Sequence, residues 1–549
     1  MVDFTEQDLL DEIRFDIKVK DRLKAELVLA ELKHVKRETQ RKALFELSRA
    51  DAAFSIVLLA GLFVNSPDIA EAFPQLKETM YSKIVSRPDV LQDLMLKEPN
   101  PNLRAFLVQM AGRIQIKEAA PVLLDILSSE SDPAIRMSAI VSLGMVGDSN
   151  AVGPISEFLD HTDSAMVHAA TDALGEIGTS EAIDQLAKRL GKDPEMDHKM
   201  LDIFSRLQAP EAVEVLNSTL TSAHAHIRVA GKEKLGAIGV MSIRVLLKNL
   251  KRSDPDLVIH SLNVLGDIGD ATAATAIRSL INTQPDNPNV RFAAYEALGR
   301  LPIEKGAFVL AAGLEDSVDN VRAAAAKAID RNYNALLAGG VRNMTKSNNG
   351  TSPVIHTILD AQCDRIVMDL IEEEYFLKET LTYLTDKAHP DTRSFYAAIF
   401  SANGLETLAK QVAPKKGDKT RAAVRIYTVD DSKMLLNIYR SILHNLACEA
   451  VTFESARQAV TQVRDDRPDV ILTDLNMPDM TGIDLAVNVR EWFSREELPI
   501  IMVTTQQESR DFEAARTAGI NGIIHKPFTE SQIKEALKKY AGLNVPKEI

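Results

Sequence analysis

The sequence predicts an all-α repeat array followed by an α/β doubly wound domain. Two observations carry that expectation. An apolar helical pattern recurs every 30 to 33 residues through the middle of the chain, and in the last quarter short β-branched or aliphatic runs alternate five times with helical patterns. Alternation of the second kind belongs to a parallel sheet covered by helices on both faces.

The strands of that C-terminal domain end on polar residues. Asp430 and Asp431 close the run 424–429, Asp474 closes 470–473, Thr504 closes 500–503, and Lys526 closes 523–525. In a parallel sheet the strand C-termini share one edge, where ligands bind. Three carboxylates, a hydroxyl and an ammonium therefore meet at one shallow pocket. Clustered carboxylates repel one another unless a hard divalent cation lies between them, and Mg2+ with oxygen ligands suits that position. A carboxylate held against such a cation can attack a phosphoryl group, and the lysine and threonine can then hold the phosphate oxygens.

With these residues in order, 423–541 resembles a response-regulator receiver domain, the family of the single-domain chemotaxis regulator. The matching stretches are Val429-Asp-Asp431, Asp474-Leu-Asn-Met-Pro478 with Gly482, Met502-Val-Thr504, and Lys526-Pro-Phe-Thr529. Asp431, Asp474, Thr504 and Lys526 stand 43, 30 and 22 residues apart in succession. The resemblance implies a flavodoxin-like sheet of order 2-1-3-4-5, with Asp474 as phosphoacceptor. It implies Asp430, Asp431, Asp474 and the Asn476 backbone carbonyl around Mg2+, and Thr504 with Lys526 as the phosphate-sensing pair. One position departs from the pattern. Three residues before the lysine, receivers often carry an aromatic or histidine ring that swings inward on activation, and this chain has Ile523. The change is expected to be smaller, or to run through the loop from Thr505 to Ser509.

Length and composition bound the rest. A chain of 549 residues allows roughly three or four domains, or one domain and a long repeat array. Its formal charge of −14 disfavours nucleic acid and anionic membrane as partners. The two cysteines, Cys363 and Cys448, fall in different domains, so no disulfide framework is indicated and a reducing cytoplasm is expected. The N-terminus lacks the basic and apolar regions of a signal peptide, and the apolar stretch from Ala52 to Val64 is too short to span a bilayer.

In the repeats, a Leu-Gly or its equivalent recurs at Gly112, Gly144, Gly175, Gly236, Gly266 and Gly299, with Ser205 and Asp330 standing in twice. Each unit reads as two helices, the first ending near the glycine, which is expected to permit the turn. Asp132-Pro133, Asp254-Pro255 and Asn287-Pro288 mark helix starts, a capping side chain followed by proline at the first helical position. The pattern, as in Asn289-Val-Arg-Phe-Ala-Ala-Tyr-Glu-Ala-Leu-Gly299, resembles the short HEAT-like repeats of bilin-lyase-type proteins. It covers 102–340, and 1–101 is expected to begin the same stack. Residues 341–350 read as a polar break, 351–412 as a helical cap or adaptor, and 413–422 as a linker. On this reading 1–412 and 423–549 fold as separate units.

Arginines recur seven residues before the repeat leucine at Arg104, Arg136, Arg228, Arg291 and Arg322. Their repetition points to a structural tie between units rather than to a ladder of ligand cations. His224, His226 and His260 lack the acidic or cysteine neighbours of a metal site and read as solvated or packing residues.

The sequence therefore describes a non-transcriptional response regulator. A sensor histidine kinase or phosphotransfer protein is expected to phosphorylate Asp474, and the HEAT-like solenoid is expected to bind an unknown protein as output. No separate catalytic constellation, nucleic-acid contact or membrane insertion is expected. Two other classes remain open at this point. One is a HEAT-like enzyme of bilin-lyase or DNA-glycosylase type under receiver control; the other is a phosphate sink that drains a shared kinase.

Overall fold

The computed structural model describes residues 6–302, 308–346, 353–414, 424–478, 480–505, 509–526 and 528–542. It divides into two compact units, Met1–Leu207 and Gln208–Ile549. This is not the expected division at the linker. The receiver belongs to the same unit as the repeats that precede it, and 415–423, most of the expected linker, lies outside the described residues.

The first unit is helical from Glu6 onward. Helices α1 (Pro101–Arg113), α2 (Pro133–Val146) and α3 (Ser164–Ile177) open successive repeats. Helix α2 starts as the sequence implies: Pro133 is its first residue, and the Asp132 carboxylate accepts from the N–H groups of Ala134 and Ile135 at 2.8 and 3.3 Å. The repeat glycine has a different task from the one expected of it. Gly144 sits inside α2, and a Cβ there would lie 2.6 Å from the Cα of Ala173 on α3, so glycine lets first helices of neighbouring repeats touch backbone to backbone. The turn is made three residues later by Gly147, at φ +74°. Among the described residues, no helix is long and apolar enough to cross a membrane.

The second unit continues the same construction in α4 (Ala225–Ala237), α5 (Pro255–Ile268), α6 (Pro288–Arg300) and α7 (Asp319–Arg331). The recurrent arginines are ties. Arg228 donates to the Ser222 carbonyl at 2.6 Å, Arg291 grips Asp316 at 2.7 and 3.0 Å, and Arg322 donates to the Asp316 carbonyl at 2.8 Å. In the first unit Arg104 donates to Met95, and the guanidinium of Arg136 lies 4.8 Å from the centre of the Phe158 ring.

The polar break expected at 341–350 is helical through Lys346, and 347–350 lies outside the described residues. Helix α8 spans Ala335–Lys346 because Leu337, Val341 and Thr345 recur at helical spacing and bury one face. The Asn334 side chain also accepts from the N–H groups of Leu336 and Leu337, both at 3.1 Å. Helix α9 (Pro353–Asp360) then opens the expected cap.

Asp360 makes that cap pH-sensitive. One carboxylate oxygen accepts from the Tyr383 hydroxyl at 2.6 Å, the other is buried with no partner among the described residues, and loss of solvent pushes the group up to about 6. A carboxylate raised on folding stabilises the native state below its ordinary range, and that contribution is lost as pH rises. Asp360 should contribute a fall of about 2–3 kcal/mol between roughly pH 4 and pH 6, and Asp360→Asn should make the slope shallower by that amount, leaving the part due to other raised carboxylates. Urea midpoints at pH 4 and pH 7 check this, and a slope in the variant equal to that of the wild type defeats it.

The receiver is a five-stranded parallel sheet of order β2-β1-β3-β4-β5, as the resemblance implied. Its strands are β1 (Arg425–Val429), β2 (Glu449–Phe453), β3 (Val470–Thr473), β4 (Ile500–Thr504) and β5 (Gly522–His525). Strands β1, β3 and β4 are buried almost throughout, which is why they read as unbroken apolar runs. One face is covered by α11 (Lys433–Asn445) and α13 (Glu530–Ala541), around Leu436, Tyr439 and Leu537. The other packs on α12 (Gly482–Arg490) and its neighbours, around Leu485 and Val489. The cap's helix α10 (Pro390–Ala402) is tied to the cap's own C-terminal end, where Arg393 donates to the carbonyls of Val412 and Ala413 at 3.0 Å.

Candidate functional site

Register places the acids. Val429 pairs with Thr473 and Thr504 with His525, so Asp430, Asp474 and Lys526 each leave the sheet at the same edge. The Asp474 N–H donates to the Val429 carbonyl at 2.8 Å, and the Lys526 N–H donates to the Thr504 carbonyl at 2.9 Å. Backbone bonding thus continues one step past the strands and holds the functional side chains rigidly.

Asp430, Asp431, Asp474, Asn476 and Lys526 line one pocket of about 90 Å³. Asp430 is fully buried. Its carboxylate accepts from the Lys526 ammonium at 2.7 Å and from the Ser432 N–H at 2.9 Å. Lys526 also lies 3.0 Å from an Asp474 oxygen, bridging the two acids. Burial alone would lower Lys526, but the carboxylates of Asp430 and Asp474 outweigh it and hold the group well above its ordinary range. Loss of solvent and the neighbouring Asp474 push Asp431 up to about 6. Because Asp431 is the one acid of the three whose residue is exposed, loss of solvent bears on it less than on Asp430.

Thr504 is fully buried and does not line the pocket, whereas Thr505 does. Ile523 packs in part against the core cluster of β4. Residues 506–508 of the loop expected to carry the change lie outside the described residues. His224 and His226 stand ring to ring 5.7 Å apart, and His260, buried, is pushed well below its ordinary range by loss of solvent.

Among the described residues, no three acidic, histidine or cysteine side chains gather at metal-binding distance. The donor set nevertheless fits a hard divalent cation. Three carboxylates share one pocket, and loss of solvent together with their mutual repulsion raises Asp430 and Asp431 although Lys526 opposes the shift. The Asn476 side-chain oxygen, buried at the same place, has no hydrogen-bond partner among the described residues.

An acid cluster and a buried lysine on the C-terminal edge of such a sheet define a receiver module. Residues 426–538 match the response regulator receiver domain, and 88–152, 132–201 and 243–330 match HEAT repeats. The chain belongs to the response regulator receiver family through this C-terminal domain. It is 36% identical over 123 residues to the chemotaxis protein CheY1 of Helicobacter pylori, covering 22% of this chain and 99% of that protein. It is 33% identical over 117 residues to the chemotaxis protein CheY-3 of Vibrio cholerae, covering 21% and 90%. Among solved structures, a similar one is the receiver domain of the sensor histidine kinase PA1611 from Pseudomonas aeruginosa PAO1, which has a magnesium ion coordinated in its active site cleft. Identity is 25%, coverage is 22% of this chain and all of that one, and the TM-score is 0.21.

The site residues named from sequence sit together, with Thr504 one step behind the pocket. Sequence reasoning missed the opposite wall. Lys232, Asn289 and Glu296 belong to the repeats and line the same pocket. No local sequence signal marks them.

Proposed function

We propose that this protein is an atypical response regulator of a two-component phosphorelay, with Asp474 as phosphoacceptor. The observation that supports it best is the Asp474 carboxylate, fixed at the end of β3 and 3.0 Å from the Lys526 ammonium. The donor is a phosphohistidine of a sensor histidine kinase or phosphotransfer protein. An Asp474 oxygen attacks phosphorus and the P–N bond breaks. Its electron pair stays on the imidazole nitrogen, and an acyl phosphate forms on Asp474. Lys526 stays beside the phosphate oxygens as a charge-assisted donor, and Thr504 with Lys526 reads the new group.

Asp430, Asp431 and Asp474, with the Asn476 backbone carbonyl, would hold Mg2+, which when bound neutralises charge on the transferring oxygens. The protein is a phosphoacceptor rather than an enzyme acting on a separate substrate. Its HEAT-like repeats are the output, offering an extended surface to a protein partner. It works in the reducing cytoplasm, consistent with two free, buried thiols. Loss of solvent pushes Cys363 well up and Cys448 up to about 11.

Acetyl phosphate with MgCl2 should yield a slower band on a phosphate-affinity gel, and Asp474→Asn should abolish it. Equal modification of variant and wild type would refute the acceptor assignment.

A further inference from the structure

The pocket around Asp474 has a second wall, built by the first helices of the preceding repeats. Lys232 on α4, Asn263 on α5, and Asn289, Phe292 and Glu296 on α6 line it together with the receiver acids. Specific contacts join the two walls. The Asn289 side-chain amide donates to the Lys526 carbonyl. The Ser432 hydroxyl donates to Glu296 at 3.4 Å, and Glu296 is held by Arg300 at 2.9 Å, itself paired with Asp267 at 2.6 Å.

Farther along α11, Asn437 donates to Gln362 at 3.4 Å, Arg440 lies 3.6 Å from Asp391, and the rings of His444 and His389 stand 4.9 Å apart. Phe292 packs against the apolar cluster under α11 and α13, and Ala225 against the cluster on the other face of the sheet. Apolar insertions ringed by polar pairs are the make-up of a specific interface.

The wall also brings a cation. Lys232 lines the same pocket as Asp431 and Asp474, two of the carboxylates that the proposed Mg2+ would use; burial pushes its ammonium down, and the charges of those two carboxylates oppose that. In so small a pocket an ammonium and a divalent cation repel each other while competing for the same carboxylates.

We propose that the face of α4, α5 and α6 is a built-in docking surface for the receiver's phosphorylation edge, with Lys232 competing with the divalent cation for Asp431 and Asp474, so that filling the site loosens the docked pair. The proposal rests on the phosphoacceptor reading above. Linkage makes the effect reciprocal: docking that weakens cation binding is itself weakened once the cation is bound. Occupancy of the receiver site is thereby passed directly to the repeats, without an aromatic switch at Ile523.

The test uses the full chain and MgCl2, with and without beryllofluoride. Hydrogen exchange is read at 225–237, 289–300 and 430–440, and Mg2+ affinity by calorimetry at fixed ionic strength. Exchange in all three segments should rise when the site is filled. Lys232→Met should bind Mg2+ about five- to tenfold more tightly than the wild type, the size of an ordinary allosteric coupling. Lys232→Arg, which keeps the charge, should titrate like the wild type. Equal affinities for Lys232→Met and wild type, or a filled site with unchanged exchange in the three segments, would overturn the proposal. These measurements read metal and docking alone, so a wrong acceptor assignment shows separately on the gel of Asp474→Asn.

Discussion

Lys526→Met should destabilise the receiver by about 3–5 kcal/mol, the usual consequence of removing one partner from a buried ion pair. The Asp430 carboxylate is about 1% exposed and Lys526 about 10%, so water cannot replace the ammonium. Methionine keeps the length of the stem and removes only the charge and its donors, which separates electrostatics from packing. With the ammonium gone, Asp430 and Asp474 repel each other across a desolvated gap, and among the described residues Asp430 retains its bond from the Ser432 N–H. Trp492, the single tryptophan, lies in the receiver under the Arg464 guanidinium at 5.7 Å, so its fluorescence follows the unfolding of this domain. The double variant Lys526→Met/Asp430→Asn should recover part of the loss, because it removes one of the two uncompensated charges. A urea midpoint for Lys526→Met within about 1 kcal/mol of the wild type would mean that the pair is not structural.

The acid edge was legible because each of its residues ends an apolar run that has no other place to go. Strands β1, β3 and β4 are buried on both faces, so their sequences are nearly uniform, and the first polar residue after each marks the sheet edge. Strand β2 is an edge strand, half-buried along most of its length, and no site residue follows it. The repeat period was legible for a similar reason, since Gly112, Gly144, Gly175, Gly266 and Gly299 each answer a close contact with the next first helix, while Gly236 has nothing within 4 Å.

The meaning of that glycine was harder to read. Close approach and turn formation both call for glycine, and only the structure shows that Gly144 serves the first and Gly147 the second. The docking of receiver on repeats was not legible at all. Lys232, Asn289 and Glu296 are single polar residues on α4 and α6, and in the sequence a polar residue that meets a polar pocket looks like one that meets water. The polar break failed as an expectation for a related reason. Composition at 341–346 is polar, but Val341 and Thr345 keep the buried stripe of α8 in phase.

Gly482→Ala should destabilise the receiver by about 2–4 kcal/mol and slow phosphorylation of Asp474 by about tenfold or more, because overpacking here displaces the acceptor itself. A Cβ on Gly482 would run into the Asp474 carbonyl oxygen, which also accepts from the Thr473 hydroxyl at 3.0 Å. The helix cannot retreat. Gly482 donates its N–H to the Leu475 carbonyl at 3.0 Å, and Thr481 and Asp484 lock the start of α12 with reciprocal bonds, the Asp484 N–H to the Thr481 hydroxyl at 3.1 Å and the Thr481 N–H to the Asp484 carboxylate at 3.0 Å. Relief must therefore come from the Asp474 backbone, whose N–H is bound to β1. Any shift there carries the carboxylate away from Lys526. Gly339→Ala is the matched control. It lies within α8 with nothing inside 4 Å of the added carbon, and it should be neutral or stabilising by up to about 1 kcal/mol. The comparison needs Trp492-detected urea unfolding and acetyl phosphate labelling of both variants. Wild-type labelling and stability in Gly482→Ala would show that the loop after β3 can yield without moving Asp474.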